Sequence, residues 1–189
     1  MDLPEIFPIS GNLISESDLY NLIKYHALNN SNIIQFRMKD LPLANQLRQL
    51  KNAKEICLKF KMKLIINSFH GLNNANTQGL HLTSSDLVKL NKADLPKISI
   101  IGASCHDKSQ IFKANELNLD YIYVSPILKT PSHQNSKSLG WDKLKELTKL
   151  SKIPIYALGG MKRSDLNTAK HNGAYGIAGI RGILSKKSY

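Results

Sequence analysis

The stretch IPIYALGGMKRSDL, residues 153–166, joins an apolar, β-branched run to the pair Gly159 and Gly160 and then to a polar, helix-like segment. The stretch YGIAGIRGIL, residues 175–184, repeats the order of an apolar run followed by glycines. A short apolar run that ends at glycine and leads into a helical pattern is typical of a strand, a loop and a helix in succession. Both stretches therefore predict βα units.

The same unit recurs along the chain. Eight apolar runs predict strands, at residues 5–10, 32–37, 63–67, 79–82, 98–104, 120–125, 153–158 and 175–180. Between them, segments such as 43–60 and 108–119 carry apolar residues three or four apart, which predicts amphipathic helices. Strands separated by helices pair in parallel, because a parallel partner requires a crossover connection. The pattern therefore favours a single (β/α)8 TIM barrel, one domain over residues 1–189, over an open doubly wound sheet.

The composition restricts the class of protein. The 189 residues, 42% hydrophobic and 21% charged, are typical of a globular domain with a sizeable core. No apolar run approaches the ~20 residues of a membrane span, and the segment MDLPEIFPIS lacks the features of a signal peptide. Cys57 and Cys105 are too few for a disulfide framework or a thiolate zinc site. We therefore expect a cytoplasmic protein without a membrane partner.

The formal net charge of +12 raises the question of an anionic partner: nucleic acid, a membrane surface or phosphorylated metabolites. The lysines are spread along the chain, several at helical spacing among apolar residues, which is typical of solvated helix faces. No basic stripe interleaved with aromatic residues and no standard nucleic-acid motif is present in the sequence. We therefore interpret most of the charge as solvated helix faces and expect no specific nucleic acid, and a phosphorylated ligand stays open as the anionic partner.

The glycines that follow the last two predicted strands indicate where such a ligand binds. In (β/α)8 barrels, the loops after the seventh and eighth strands commonly hold phosphate through backbone N–H groups. Gly159 and Gly160 would let the backbone approach this anion, and Gly179-Ile180-Arg181-Gly182 would close over it from the next strand. The alternative is that paired glycines only make a tight turn. Two clusters at consecutive strand ends favour the phosphate site.

Gln35, Arg37 and Lys39 lie two residues apart at the end of the second predicted strand. Period two places them on one side of an extended strand. Arginine and lysine are costly to bury unless they are paired or bound to an anion, and a diphosphate would satisfy both. An ion pair or an exposed strand end is equally compatible with this pattern.

Oxygen and nitrogen donors follow the third and fourth predicted strands. Asn67 ends the third strand, His81 lies in the fourth, and Asp86 follows it. Mg²⁺ prefers carboxylates together with substrate phosphate oxygens, and Asp86 can supply one such carboxylate. The segment TSSDL also has the form of a helix start, so Asp86 is alternatively a capping acid. A lone histidine such as His81 is more often a hydrogen-bonded core residue than a ligand.

The segments IIQFRMKDL, LIIN, GLHLTSSDL, IIGASCH, LDYIYVSPILKT, IPIYALGGM and GAYGIAGIRGIL resemble, in order and spacing, the thiamine phosphate synthase/TenI superfamily. The resemblance covers residues 30–184. The segment SPILKTPSHQNSKSLGW, together with ALGG and GIRG, is closer still to the TenI-like domain that is fused to Nudix hydrolases in some bacteria.

The resemblance implies an enzyme of thiamine biosynthesis or salvage that joins a pyrimidine diphosphate to a thiazole phosphate with Mg²⁺ and releases pyrophosphate. We predict catalytic roles for Arg37, Lys39, Ser104 and Thr130. We predict substrate contacts for Gln35, Asn67, His81, His133, Gly159, Gly160, Ile180 and Arg181. Asp86 is the predicted metal ligand, and Mg²⁺ the predicted cofactor.

The chain departs from the family pattern at three places. It has Ser68 where synthases carry a metal-binding Asp, and Pro131-Ser132-His133 where they carry a Lys. It also has Ser125 where the TenI tautomerases carry a His. An alternative therefore stays open: a TenI-like barrel that binds or processes thiamine-type phosphates without synthase activity, or a partner of a Nudix hydrolase. Whether the protein forms a homo-oligomer also stays open.

Overall fold

The computed structural model describes residues 2–12, 15–70, 77–130 and 137–184. Its eight strands are β1 (Ile6–Pro8), β2 (Ile33–Phe36), β3 (Lys63–Asn67), β4 (Gly79–Leu82), β5 (Ile100–Cys105), β6 (Tyr121–Val124), β7 (Ile155–Ala157) and β8 (Gly176–Gly179). Each of the eight predicted runs thus contains or overlaps one strand. The helices of the described ranges are α1 (Glu16–Leu28), α2 (Leu43–Lys59), α3 (Ser84–Lys89), α4 (Lys108–Leu117), α5 (Gly140–Thr148) and α6 (Leu166–His171).

All eight strands belong to one parallel sheet with the order β1-β8-β7-β6-β5-β4-β3-β2. The two ends of this order meet at a parallel bridge between Ile9 and Gln35, where the Ser10 N–H donates to the Gln35 carbonyl at 2.9 Å. The sheet therefore closes into a barrel, which confirms the predicted (β/α)8 architecture. Because the strands are parallel, all their carboxyl ends lie at one mouth of the barrel.

Side-chain caps and a regular apolar face explain where the helices form. The hydroxyls of Ser15 and Thr83 accept hydrogen bonds from the first turns of α1 and α3, and the Asp107 carboxylate does the same for α4. In α2, the residues Leu50, Ala53 and Cys57 are buried at spacings of three and four, and they pack against the sheet. Among the described residues, none of the helices is long and apolar enough to cross a membrane.

The interior of the barrel is filled by aromatic side chains. Phe7 packs against the rings of Tyr121, Tyr123 and Tyr156 at centroid distances of 4.8, 5.5 and 5.3 Å. Gly102 makes room for them, because a Cβ at this position would lie 2.2 Å from the Tyr121 ring. Large side chains that face small ones fill a narrow barrel without voids. The barrel is therefore a packed core that opens only at its ends.

Candidate active site at the mouth of the barrel

The end of β2 presents polar groups that other described residues leave unpaired. Gln35 is 1% exposed, and its Oε1 has no hydrogen-bond partner among the described residues. Two residues further on, the Arg37 side chain is partly buried and forms no ion pair within the described ranges. Burial lowers the pKa of Arg37, against an opposing effect of Asp40. A buried acceptor and an unpaired cation thus lie side by side, which is an arrangement that a polar anionic ligand would satisfy.

The backbone of this segment is anchored by β1. Ser10 is 1% exposed, and its Oγ accepts a hydrogen bond from the Arg37 N–H at 2.9 Å. The strand ends at Phe36, so Lys39 lies in a turn beyond it and is exposed. The period-two argument requires an extended strand, so it applies to Gln35 within β2 and is wrong for Lys39 in the turn. Arg37 directly follows the strand. The Lys39 Nζ instead lies 5.9 Å from the centre of the Phe69 ring, close to the end of β3.

A closed hydrogen-bond network occupies the ends of β3 and β4. The Oδ2 atom of Asp86 accepts hydrogen bonds from the hydroxyls of Ser68 and Thr83, the latter at 2.7 Å. In return, the Ser68 Oγ accepts from the Thr83 N–H at 2.9 Å, and the Thr83 Oγ1 accepts from the Asp86 N–H at 3.1 Å. Asp86 thus lies at the mouth of the barrel and belongs to the cap of α3, as the capping alternative predicted.

The donor set at this position does not fit a resident metal centre. The described residues contain no group of three or more His, Cys, Asp or Glu side chains that could hold a metal ion. Asp86 supplies one carboxylate, and one of its oxygens is already engaged by two hydroxyls. The adjacent Asn67 is buried, and its Oδ1 accepts a hydrogen bond from the Phe69 N–H at 3.0 Å. Mg²⁺ needs more oxygen ligands than these groups leave available.

His81 forms hydrogen bonds with protein groups through both ring nitrogens. It is fully buried, with Nδ1 3.1 Å from the Tyr121 hydroxyl and Nε2 2.9 Å from the Ser104 Oγ. Its ring stacks on Tyr123 at a centroid distance of 4.3 Å. Burial, together with the charge of Arg37, lowers the pKa of His81 to about 3, so the imidazole is neutral. Both ring nitrogens of His81 are thus engaged by protein hydroxyls, and the predicted substrate contact of His81 stays a prediction.

The loop after β6 is described only in part. Thr130 is partly buried and follows the exposed Lys129, whereas His133 and its neighbours in 131–136 lie outside the described residues. The prediction for His133 is therefore not tested. Ser125, at the end of β6, accepts a hydrogen bond through its carbonyl from the Nδ1 atom of His106 at 2.7 Å.

The two glycines after β7 are required by the fold itself. Gly159 and Gly160 have φ values of +94° and +70°, which side chains with a Cβ rarely adopt. A Cβ at Gly159 would lie 2.8 Å from the Cα of Pro126, and one at Gly160 would lie 2.6 Å from the carbonyl oxygen of Lys129. A side chain at position 160 is therefore excluded both by the turn and by its close packing on the loop after β6.

The same turns nevertheless leave backbone donors unused. Among the described residues, the N–H groups of Gly160 and Met161 after β7, and of Ile180 and Arg181 after β8, donate to no acceptor. Ile180 is partly buried and packs against Gly11, whereas the Arg181 side chain is exposed. Unpaired N–H groups at adjacent strand ends are the means by which barrels of this kind hold a phosphate. The tight-turn and phosphate interpretations of the glycines are thus compatible.

Sequence reasoning missed the residues that connect these groups. The anchoring role of Ser10 and the donation from Ser68 to Asp86 depend on pairs 27 and 18 residues apart. The tyrosines of the barrel interior had a visible signal, because Tyr121 and Tyr123 alternate along a predicted strand and so face the same side.

Comparison with known proteins places the chain in a family. Residues 6–183 match the family TMP-TENI, described as thiamine monophosphate synthase. The thiamine-phosphate synthase of Prochlorococcus marinus subsp. pastoris is 31% identical over 183 residues, which are 94% of this chain and 52% of that protein. The thiamine-phosphate synthase of Fusobacterium nucleatum subsp. nucleatum is 30% identical over 172 residues, which are 90% of this chain and 84% of that protein.

The fold comparison agrees. The solved structure of thiamine phosphate pyrophosphorylase from Pyrococcus furiosus matches with a TM-score of 0.74 at 18% identity, covering 97% of this chain and 89% of that one. At this identity the likeness shows the barrel fold alone, whereas the sequence match spans nearly every element of the described barrel. The chain therefore belongs to the thiamine monophosphate synthase family.

Proposed function

We propose that the protein is a transferase of thiamine biosynthesis or salvage that joins an aminopyrimidine diphosphate to a thiazole phosphate and forms thiamine phosphate. The observation that carries the proposal is the end of β2, where the buried Oε1 of Gln35 and the guanidinium of Arg37 lack protein partners in the described ranges. An aminopyrimidine diphosphate has an amino group that would donate to the Gln35 Oε1 and a negative charge that would pair with the Arg37 guanidinium.

In the proposed reaction, the bond between the pyrimidine methylene carbon and the diphosphate oxygen breaks, and the electron pair leaves with the diphosphate. The lone pair of the thiazole nitrogen then forms the new C–N bond. Arg37 stabilises the charge that develops on the leaving group, and Gln35 fixes the ring by accepting a hydrogen bond from its amino group. No side chain needs to become covalently attached, so the work of the site is electrostatic stabilisation and positioning.

Several further predicted residues have a role in the same scheme. The Ser104 hydroxyl, held by His81, faces the pyrimidine side, and Thr130 contributes from the loop after β6. The unused N–H groups of Gly160, Ile180 and Arg181 bind the thiazole phosphate. This assignment is supported by the unpaired donors at the ends of β7 and β8 and by the +12 net charge of the chain.

The proposal is tested by product formation. The purified protein is incubated with both substrates and Mg²⁺, and thiamine phosphate is measured by chromatography after oxidation to its fluorescent thiochrome form. We expect product from the wild-type protein and from Lys145→Ala, a change on the exposed face of α5. We expect none from Arg37→Ala. A wild-type protein that binds both ligands and forms no product would refute synthase activity.

One observation favours the alternative of a barrel that binds thiamine-type phosphates without synthase chemistry. The hydroxyl of Ser68 replaces a carboxylate that the family resemblance implies, so the mouth has less negative charge available for a cation. A role beside a Nudix hydrolase belongs to the same alternative. Ligand binding without product would support it.

The proposed function also has consequences for the partners, the location and the domain organisation of the protein. Its partners are small phosphorylated substrates, and we propose a cytoplasmic protein that acts as one barrel domain. Sedimentation of the purified chain would establish whether it forms a homo-oligomer.

A further inference from the structure

His81 connects a buried phenol to a hydroxyl at the mouth of the barrel. Its Nδ1 lies 3.1 Å from the Tyr121 hydroxyl, and its Nε2 lies 2.9 Å from the Ser104 Oγ. Tyr121 and His81 have no exposed surface, whereas Ser104, near the end of β5, is partly exposed. Because the imidazole is neutral, one ring nitrogen carries a hydrogen and the other accepts one. The nitrogen that carries the hydrogen decides in which direction both hydrogen bonds run.

The first possible arrangement places the hydrogen on Nδ1. This nitrogen then donates to the Tyr121 oxygen, and the Ser104 hydroxyl donates to Nε2. The hydrogen of the Tyr121 hydroxyl has no acceptor in this arrangement. The Tyr123 hydroxyl does not supply one: among the described residues it has no partner with hydrogen-bond geometry, and its effect on Tyr121 is that of a donor, because it opposes the rise that burial causes in the pKa of Tyr121. A buried donor without an acceptor is costly.

The second arrangement places the hydrogen on Nε2. The Tyr121 hydroxyl then donates to Nδ1, and Nε2 donates to the Ser104 Oγ, so both fully buried groups use their hydrogens. The hydrogen that is left over belongs to the Ser104 hydroxyl, the one group of the three with exposed surface. An unused donor costs least where a ligand or solvent can reach it. The geometry therefore favours this arrangement.

We propose that Tyr121 fixes His81 as the Nε2–H tautomer, and that Ser104 thereby faces the ligand as a hydrogen-bond donor. Tyr121 is a positioning residue, because it acts on the ligand through His81 and Ser104. In the aminopyrimidine of the proposed function, the ring nitrogens are the acceptors that such a donor selects. This choice of ligand atom rests on the proposed function, whereas the tautomer is a property of the free protein.

The tautomer is read by nitrogen-15 nuclear magnetic resonance of the free wild-type protein labelled at histidine. Magnetisation transfer from the Tyr123 ring, which stacks on the imidazole at 4.3 Å, identifies the His81 signals without a variant. At pH 7 we expect Nε2 to resonate as a protonated ring nitrogen and Nδ1 as an unprotonated one. The reverse pattern, or averaged signals that indicate a mixture, would overturn the proposal.

Two changes from tyrosine to phenylalanine separate the role of Tyr121 from a general effect on the barrel interior. In Tyr121→Phe, Nδ1 has no partner in either tautomer, so we expect a mixture. Tyr156→Phe is the matched control, because its ring belongs to the same aromatic cluster but its hydroxyl donates to the Pro4 carbonyl at 2.7 Å. The tautomer should not change in this control. A single Nε2–H tautomer in Tyr121→Phe, or a mixture in Tyr156→Phe, would contradict the role of Tyr121.

The donor role of Ser104 is read from binding of the aminopyrimidine diphosphate, measured by calorimetry. Ser104→Ala should weaken this binding about tenfold and leave the affinity for inorganic pyrophosphate, which has no ring, within about twofold. Tyr121→Phe should weaken binding of the aminopyrimidine diphosphate about twofold, because about half of the molecules then turn the Ser104 hydroxyl toward Nε2. In the Ser104→Ala background, the same change should have no further effect. Additive losses, or equal losses for pyrophosphate, would overturn this role.

The outcomes distinguish this inference from the proposed function. A wild-type protein with the Nε2–H tautomer that does not bind the aminopyrimidine diphosphate would refute the proposed function and leave the assignment of the tautomer intact. A protein that forms thiamine phosphate and holds His81 as the Nδ1–H tautomer would do the reverse. Circular dichroism of each variant establishes that it is folded, and the wild-type tautomer decides the question even if Tyr121→Phe does not fold.

Discussion

Two regions of the barrel mouth use their polar groups in opposite ways. At the end of β2, Gln35 and Arg37 have hydrogen-bonding capacity and charge that the described residues leave unused. At the ends of β3 and β4, Ser68, Thr83 and Asp86 satisfy one another in a closed network. A polar group that is buried without a partner costs stability, whereas a closed network contributes to it.

The difference separates groups that act on a ligand from groups that build the site. Removing an unused group should weaken ligand binding and change stability little, because no protein contact is lost. Removing a member of a closed network should lower the free energy of unfolding more than it weakens ligand binding. The Arg37 and Thr83 variants below are therefore assayed for both quantities, metal-free pyrophosphate affinity and the free energy of urea unfolding.

The largest expected effect is that of Arg37→Ala on pyrophosphate binding. Loss of a partly buried cation that faces the anion should weaken binding about 100-fold, because truncating one member of such a charge pair costs about 2–5 kcal/mol. The free energy of unfolding should change little, since Arg37 has no ion pair to lose among the described residues. Lys145→Ala is the control. Equal losses in both variants would mean that the end of β2 is not the anion site.

The next effect is the loss of stability when alanine replaces Gly160 in the turn after β7, compared with the same change at Gly140, which has open space around it. Gly160 and Gly140 have similar φ values, +70° and +78°, but a Cβ at Gly140 has nothing within 4 Å. Gly140→Ala should cost about 1 kcal/mol of stability from the left-handed backbone. Gly160→Ala should cost about 2 kcal/mol more, because its Cβ meets the Lys129 carbonyl. Equal costs would show that the loop after β6 moves aside.

The third effect is a dependence of stability on pH. Burial lowers the pKa of His81 to about 3 and that of His26 to about 4, whereas the ordinary pKa of histidine is 6.5. Both side chains therefore stay neutral in the folded protein when the pH falls below 6.5. The unfolded chain takes up these protons as the pH falls below 6.5, so stability is lost in that direction. Each histidine should contribute about 1.4 kcal/mol per pH unit below that value.

His26→Leu sharpens this prediction. In this variant, the free energy of urea unfolding should depend less steeply on pH between pH 6.5 and 5. The slope should fall by the equivalent of about one proton, because His81 is then the only one of these two histidines left. A wild-type slope near zero would mean that neither imidazole is held neutral by the fold.

The smallest expected effect is that of Thr83→Ala in the closed network. Loss of the hydroxyl removes the cap of α3 and one donor to Asp86, which should cost about 1 kcal/mol of stability. Metal-free pyrophosphate affinity should stay within about twofold. Thr83→Ser retains the hydroxyl and should restore stability. A variant that loses pyrophosphate affinity and keeps its stability would place Thr83 with the ligand-binding groups.

Much of the fold was predictable because its signals are local. Predicted runs such as 63–67 and 79–82 coincide with β3 and β4, since short apolar runs bounded by polar or glycine residues mark buried parallel strands. The bounds of α2 differ from the predicted 43–60 by one residue. The site was predictable only in part: Gln35 and Arg37 lie as expected at a strand end, while Lys39 does not, because β2 ends at Phe36 and the chain turns there.

The sequence by itself determined the eight strands, their parallel order and the polar residues at their ends, because periodicity and glycine positions are properties of neighbouring residues. Only the tertiary structure decided which of those polar groups are used within the protein. Ser10 bonds the Arg37 N–H across 27 residues, Ser68 reaches Asp86 across 18, and His81 reaches Tyr121 across 40. A hydrogen bond requires about 3 Å between partners, and closure of the barrel brings such distant residues to that distance.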